Sequence, residues 1–293
     1  MTAAQLAGTV RAAFGREALV LADDGRLLRA ALRGRRMQAV CGDLVSLSGM
    51  ADERAIIEQI APRRTEFARA SEHRVKVIAA NLTQVVILTA CEPSFDDELL
   101  CRLLVAARRA KLSAVLVLNK IDLADACDAA RRTLEPFRGL EYPIIELSGK
   151  LDPSPLRPCL AGQRSLLVGQ SGMGKSTLLK ALVPEAEVRI AEISRHLDAG
   201  RQSTTACRLY VLDDGSEIVD SPGIAEFGLA GISASELADG FPDVALHAAR
   251  CKFRDCRHLA EPGCAVRAAA DEGRVHPRRL ALYQRIARLE RCA

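Results

Sequence analysis

Tryptophan is absent from the sequence, and tyrosine and phenylalanine together number ten in 293 residues. Platforms for stacking nucleic-acid bases are therefore few. Long apolar runs are missing as well: no segment approaches the roughly 20 apolar residues that span a bilayer. The first stretch, MTAAQLAGTVRAAFGREALV, lacks the apolar core of a signal peptide. Internal repeats and low-complexity tracts are also missing. These absences lead to the expectation of a soluble, cytoplasmic chain without membrane contact. What remains is 49% hydrophobic and 27% charged, the profile of a folded protein. The length is enough for two or three domains, each with a proper core.

Charge is unevenly placed around a net +4. Residues 250–293 hold eleven Lys/Arg against five Asp/Glu, residues 1–75 twelve against nine, and residues 76–249 carry −5. Basic ends around an acidic centre point to the flanking parts as the ones that meet a polyanion. Ten cysteines are present, and seven stand singly: Cys41, Cys91, Cys101, Cys127, Cys159, Cys207 and Cys292. Without an export signal these read as reduced, mostly buried small hydrophobes.

Three modules follow from the patterning. Residues 1–65 contain short β-like runs (Ala18–Ala22, Ala39–Val40, Leu44–Leu47) punctuated by glycines, as in a small sheet or barrel. From residue 70 to 230 apolar strands alternate with helices. Val85–Thr89, Ala114–Leu118, Ile144–Leu147, Ser165–Val168, Leu209–Leu212 and Ile218–Val219 are the strands, with helices over Asp96–Ala110 and after Lys175. That alternation indicates a mostly parallel α/β sheet. In residues 231–293, Pro277 opens an amphipathic helix with Leu280, Tyr283, Ile286 and Leu289 on one face and arginines between them. Those arginines are either solvated or available to a partner.

The strongest motif is Gly169-Gln170-Ser171-Gly172-Met173-Gly174-Lys175-Ser176, followed by Thr177. It matches G-x-x-x-x-G-K-[ST], after an apolar strand and before a helix, where backbone N–H groups and the helix dipole can cradle phosphates. Lys175 is placed to reach the β- and γ-phosphates and Ser176 to coordinate Mg²⁺. Asn119-Lys120-Ile121-Asp122 matches the N-K-x-D pattern that reads guanine. A carboxylate there accepts from guanine N1–H and the exocyclic amine, and adenine would leave it unpaired. Ser148-Gly149-Lys150 resembles the S-A-K box, with glycine in place of alanine, and Asp220-Ser-Pro-Gly223 matches D-x-x-G. In that motif Asp220 is assigned to Mg²⁺ through water and the Gly223 N–H to the γ-phosphate. Gly200-Arg201-Gln202-Ser203-Thr204-Thr205 supplies a first switch with Thr204 for Mg²⁺. The order N-K-x-D, S-G-K, phosphate loop, first switch, D-x-x-G is a circular permutation of the ordinary GTPase order. Lys175, Gln202 and Thr204 are the catalytic candidates.

Behind these boxes, Cys251, Cys256, His258 and Cys264 fall within fourteen residues. Three thiolates and an imidazole favour one tetrahedral Zn²⁺, and four protein ligands make the site structural. Redox or disulfide use of the cluster is the competing reading.

These motifs closely resemble the ribosome small subunit-dependent GTPase A family, RsgA or YjeQ, over nearly the whole chain. Arg33-Gly34, Gly42-Asp43, the run Lys76–Val86, Asp220–Leu229 and the Cys/His spacing carry the resemblance. It implies an α/β, circularly permuted P-loop GTPase domain, preceded by a small OB-fold β-barrel and followed by a zinc-binding, helical C-terminal domain. It further implies GTP hydrolysis to GDP stimulated by the small ribosomal subunit during its late maturation. Arg29, Arg33, Arg35 and Arg36 are the candidates for rRNA contacts from the barrel; a solvated basic loop is the competing reading. The expected solution state is a monomer. The family's first switch reads G-R-H-T-T-T, whereas Gln202 and Ser203 stand here. Gln202 is assigned to orient water, since Ile224 after D-x-x-G cannot. Two other functions compete: a nucleotide-gated rRNA-binding checkpoint module with little catalysis, and a generic P-loop ATPase. Asn119–Asp122 argues against the second.

Overall fold

Apolar alternation in the first sixty residues closes a five-stranded barrel in the computed structural model, which describes residues 6–71, 74–183 and 207–290. Strands β1 (Leu6–Phe14), β2 (Glu17–Ala22), β3 (Leu27–Leu32), β4 (Leu44–Ala51) and β5 (Arg54–Ile60) pair in the order β1-β2-β3-β5-β4. Antiparallel pairs from Leu6↔Leu47 to Thr9↔Leu44 return β4 to β1, and β3 runs parallel to β5. This is the Greek-key connectivity of an OB fold. Val10, Val20, Leu28, Leu47 and Ile57 fill its interior. Ala39–Val40, expected as a β run, forms no strand. The Val40 amide instead donates to the Asp43 carboxylate at 2.8 Å, which turns the chain, and only Cys41 bridges to Ala79.

A hairpin of β6 (Glu66–Ser71) and β7 (Arg74–Ala80) leads into the α/β unit. There β8 (Gln84–Ala90), β9 (Ser113–Asn119), β10 (Ile144–Glu146), β11 (Arg164–Gly169), β12 (Arg208–Val211) and β13 (Glu217–Asp220) take the order β10-β9-β8-β11-β13-β12. All neighbours are parallel except β12. Because side chains alternate along a strand, Val85 and Ile87 of β8 face one core while Val86 and Leu88 face another. Helix α1 (Asp97–Arg109) covers the first core, together with a helical C-terminal module. Helix α4 (Lys175–Leu182) covers the second. Helices α2 (Ala124–Leu134) and the short α3 (Arg157–Leu160) complete the α/β unit.

The barrel is fixed to this unit by polar contacts. Arg63 forks onto the fully buried Asp43 at 2.7 and 2.9 Å. The Asn81 side chain accepts from Arg64 N and donates to Gly42 O, both at 2.9 Å.

Helices α5 (Ala234–Asp239), α6 (Pro242–Ala248), α7 (Ala265–Asp271) and α8 (Pro277–Leu289) form the C-terminal module. Tyr283 and Ile286 are buried as the periodicity predicts, but Leu289 is 60% exposed. Among the interleaved arginines, Arg279 is neither solvated nor open to a partner molecule. Its exposure is 0%, it forks onto Asp243 at 2.9 and 3.1 Å, and its guanidinium lies over the rings of Phe241 and Phe137. Among the described residues, no helix is long and apolar enough to cross a membrane.

Candidate functional site

The parallel strands β8, β9 and β11 end on one edge of the sheet, and the loops that follow them carry the chemistry. After β11, the chain turns through Gly169–Gly174 into α4, whose N-cap is Gly174 at φ +90°. Only glycine fits here: a Cβ at Gly174 would lie 2.4 Å from Asn119 Nδ2, and one at Gly169 2.5 Å from Leu88 O. Lys175 and Ser176 open α4, with the free amides of its first turn behind them. Met173 is buried and anchors the loop in the α4-side core.

Asn119, at the end of β9, ties three motifs together. Its Nδ2 donates to Met173 O at 2.9 Å, and its Oδ1 accepts from Gly149 N at 2.8 Å. Lys120 follows at φ +62° and its Nζ donates to Glu92 O at 2.7 Å. Asp122 stands exposed beyond them. The Ser148 hydroxyl bonds its carboxylate and holds it below the usual carboxylate range, with Lys150 and Lys120 adding to that. At Gly149 of the S-G-K box, a Cβ would come 3.1 Å from Leu178 of α4 and 3.2 Å from Asn119 Oδ1, so a side chain there would need these neighbours to give by a few tenths of an ångström.

The D-x-x-G segment leaves β13 directly beside the phosphate loop. Ser221 donates from its hydroxyl to Leu167 O at 2.8 Å, and Ile224 N donates to Gly169 O at 3.1 Å. A Cβ on Gly223 would sit 3.6 Å from Ser171, so the two loops touch. Ile224 is buried, and no side chain at that position can orient water. Gln202 and Thr204 lie outside the described residues.

Sequence reasoning missed the segment between β8 and α1. Asp96 N donates to the Gln170 side chain at 2.8 Å, and Pro93 stacks under Gly172, so this segment buttresses the phosphate loop. An N-cap pattern, Asp96 before Asp97 and Glu98, was the one local signal for it. Two of the seven scattered cysteines also depart from the expectation of reduced thiols. Cys91, at the end of β8, and Cys127, in α2, are joined as a disulfide with Cα atoms 4.7 Å apart. Adjacent strands β8 and β9 bring these two positions together, which a separation of 36 residues conceals. Cys41, Cys101, Cys159 and Cys207 are free, with burial raising the Cys101 and Cys207 thiols to about 12. Cys292 lies outside the described residues.

In the C-terminal module, the ligand atoms of Cys251, Cys256, His258 and Cys264 lie within 4.8 Å of one another. Cys251 Sγ and Cys264 Sγ are each 3.5 Å from His258 Nδ1 and 4.0 Å from each other. A tetrahedron with metal–sulfur bonds of 2.3 Å has edges of about 3.6–3.8 Å, so the donor set suits a tetrahedral soft metal ion. The Gln284 side chain donates to His258 O at 2.7 Å and ties this loop to α8.

Of the barrel arginines, Arg29 pairs with Glu17 at 2.6 Å and Arg33 pairs with Glu58. Arg35 and Arg36 are exposed in the loop after β3.

A phosphate loop, a guanine-reading loop and a D-x-x-G turn, met in permuted order on one sheet edge, define a circularly permuted P-loop GTPase. The RsgA GTPase family model matches residues 60–230, and the chain belongs to that family. The small ribosomal subunit biogenesis GTPase RsgA of Nitrosospira multiformis is 46% identical over 98% of this chain and 91% of its own length. The protein of the same name from Bordetella pertussis is 44% identical over 98% and 97%. Among solved structures, YjeQ from Thermotoga maritima superposes with a TM-score of 0.76 at 27% identity, covering 98% of both chains. YloQ, a circularly permuted GTPase, gives 0.72 at 25% identity, covering 98% of this chain and 95% of its own.

Proposed function

We propose that the chain hydrolyses GTP to GDP and phosphate in the maturation of the small ribosomal subunit, with that subunit stimulating turnover. The observation that carries the reading is Asn119, whose two hydrogen bonds draw the phosphate loop and the S-G-K box onto the guanine-reading loop. Asp122 selects guanine, with Lys120 and Ile121 lining the base and Ser148, Gly149 and Lys150 closing it. The amides of Gly169–Thr177 and the Lys175 ammonium stabilise charge on the phosphoryl group during in-line attack by water. Ser176, Thr204 and Asp220 hold Mg²⁺, which supplies charge neutralisation at the phosphates. Gln202 orients the attacking water. Cys251, Cys256, His258 and Cys264 hold one structural Zn²⁺.

The relatives' names support the ribosomal setting, and a cytoplasmic monomer fits it. Module boundaries at 1–65, 70–230 and 231–293 place an rRNA-binding barrel and a zinc module on either side of the GTPase unit. Arg35 and Arg36 remain open to rRNA phosphates, while Arg29 and Arg33 must first leave their carboxylates. The burial of Ile224 favours a second reading, a nucleotide-gated rRNA-binding checkpoint with little intrinsic catalysis.

Turnover of GTP by the purified chain, alone and with small ribosomal subunits, separates the two, with ATP as control. GTP-selective turnover that rises at least tenfold with subunits is the expected result. GTP-dependent subunit binding without turnover selects the checkpoint reading. The absence of both subunit binding and turnover would overturn the ribosomal assignment.

A further inference from the structure

The nucleotide site and the last helix meet on α1. At its N-terminus, Asp96 N holds the Gln170 side chain of the phosphate loop. On the face toward the C-terminal module, Asp97 pairs with Arg278 and Glu98 with Arg285, both at 2.6 Å and both from α8. One turn on, Arg102 is nearly withdrawn from water, its side chain 11% exposed. Its Nε donates to Glu98 at 3.0 Å, and its Nη1 donates to Glu290, the residue that caps α8. The same Nη1 reaches the carbonyl of Phe227 at 3.4 Å.

Phe227 stands four residues beyond Gly223 in the segment that follows D-x-x-G. Its ring packs on Phe67 with centroids 5.5 Å apart, and Ala70 N donates to Gly228 O at 3.1 Å. At the other end, Ile224 N is bonded to Gly169 O of the phosphate loop. Only Ala225 and Glu226 intervene, and both are exposed. Ile224 and Phe227 thus pin the two ends of a four-residue stretch, and the place of Phe227 limits where Ile224 and the adjoining Gly223 can stand. Arg102 already has two carboxylates for its charge, so the contact to Phe227 contributes position rather than neutralisation. A planar guanidinium can hold two carboxylates and a carbonyl in one fixed fork, which an ammonium cannot.

We infer that Arg102 is a positioning residue for GTP hydrolysis, holding the Phe227 end of the D-x-x-G segment, the second switch, in register with α8. The docking of the last helix thereby sets where Gly223 stands against the phosphate loop. This rests on the reading of Gly223 as the γ-phosphate sensor.

The test is single-turnover GTP hydrolysis by the full chain, with GTP and GDP affinities and melting temperature measured in parallel. Arg102→Met is expected to slow hydrolysis roughly tenfold while both affinities stay within about twofold. Arg102→Lys recovers part of the rate. Glu290→Gln slows hydrolysis less, and the Arg102→Met/Glu290→Gln double variant is no slower than Arg102→Met alone, because Glu290 acts through Arg102. Unchanged hydrolysis overturns the inference, and so do losses of rate and affinity that simply follow the melting temperature. If Arg102→Met does not fold, Glu290→Gln decides alone, and an unchanged rate overturns the inference. Lys175→Ala serves as the separate control: if it leaves GTP binding intact, the site reading itself fails, whatever Arg102 does.

Discussion

Ser148 shows how much one side chain can set in this site. Its hydroxyl stabilises the ionised form of Asp122, the form that guanine recognition requires. A carboxylate with a lowered pKa stays charged at and above its ordinary range and loses charge only as pH falls through the lowered value. Followed downward from neutral pH, the contribution of Asp122 to GTP affinity should therefore persist to lower pH than that of an unsupported carboxylate. Ser148→Ala removes the main stabilising bond, so its affinity should begin to fall at higher pH than the parent's. Fluorescence titration of a labelled guanine nucleotide from neutral to acidic pH checks the point, and superimposable profiles would sink it. The motifs were largely legible here, because each nucleotide motif among the described residues is a short run at the end of a strand. Gly174 was legible as a motif letter, but its reason, the Asn119 side chain against it, came only with packing.

Helix α8 was visible in sequence from Pro277 and its apolar spacing, yet its most consequential residue was not. Arg279 sits among arginines and reads as one more polar-face charge, but the fold closes Asp243, Phe241 and Phe137 around it. Burying a guanidinium is tolerated only with a carboxylate in bidentate contact, and removing one partner strands the other. Arg279→Met should lower stability by about 3–5 kcal/mol in urea denaturation. Adding Asp243→Asn should restore part of the loss, since it neutralises the stranded carboxylate. A single-variant loss below about 1 kcal/mol would show that Asp243 finds water instead. Strands β1, β3, β5, β6 and β7 were likewise not named from sequence, since their alternation is broken by small and charged residues.

Across the whole molecule, the metal cluster, α8, α1 and the second switch form a continuous set of contacts. Gln284 links the His258 loop to α8, and α8 links through Glu290 and Arg102 to Phe227. Removing the metal by chelation, or one ligand by Cys264→Ser, should release one equivalent of zinc and raise hydrogen exchange across residues 250–290. Hydrolysis should fall while GDP affinity holds within about twofold, because the phosphate loop is braced separately by Asp96 and Asn119. Unchanged exchange in that segment after zinc release would show that the module is held by its apolar core alone.

The sequence by itself determined the permuted order of the nucleotide boxes and the Cys/His cluster that could hold a metal. Each of these is written in local spacing, where strand, turn and ligand geometry act over a few residues. Tertiary structure alone decided that Asn119 joins three boxes and that Cys91 meets Cys127. It likewise decided that Asp43 takes Arg63 and that Arg102 stands between two carboxylates and the second switch. Such contacts join residues far apart in the chain, and which distant partners meet is set by strand order and helix packing rather than by any local pattern.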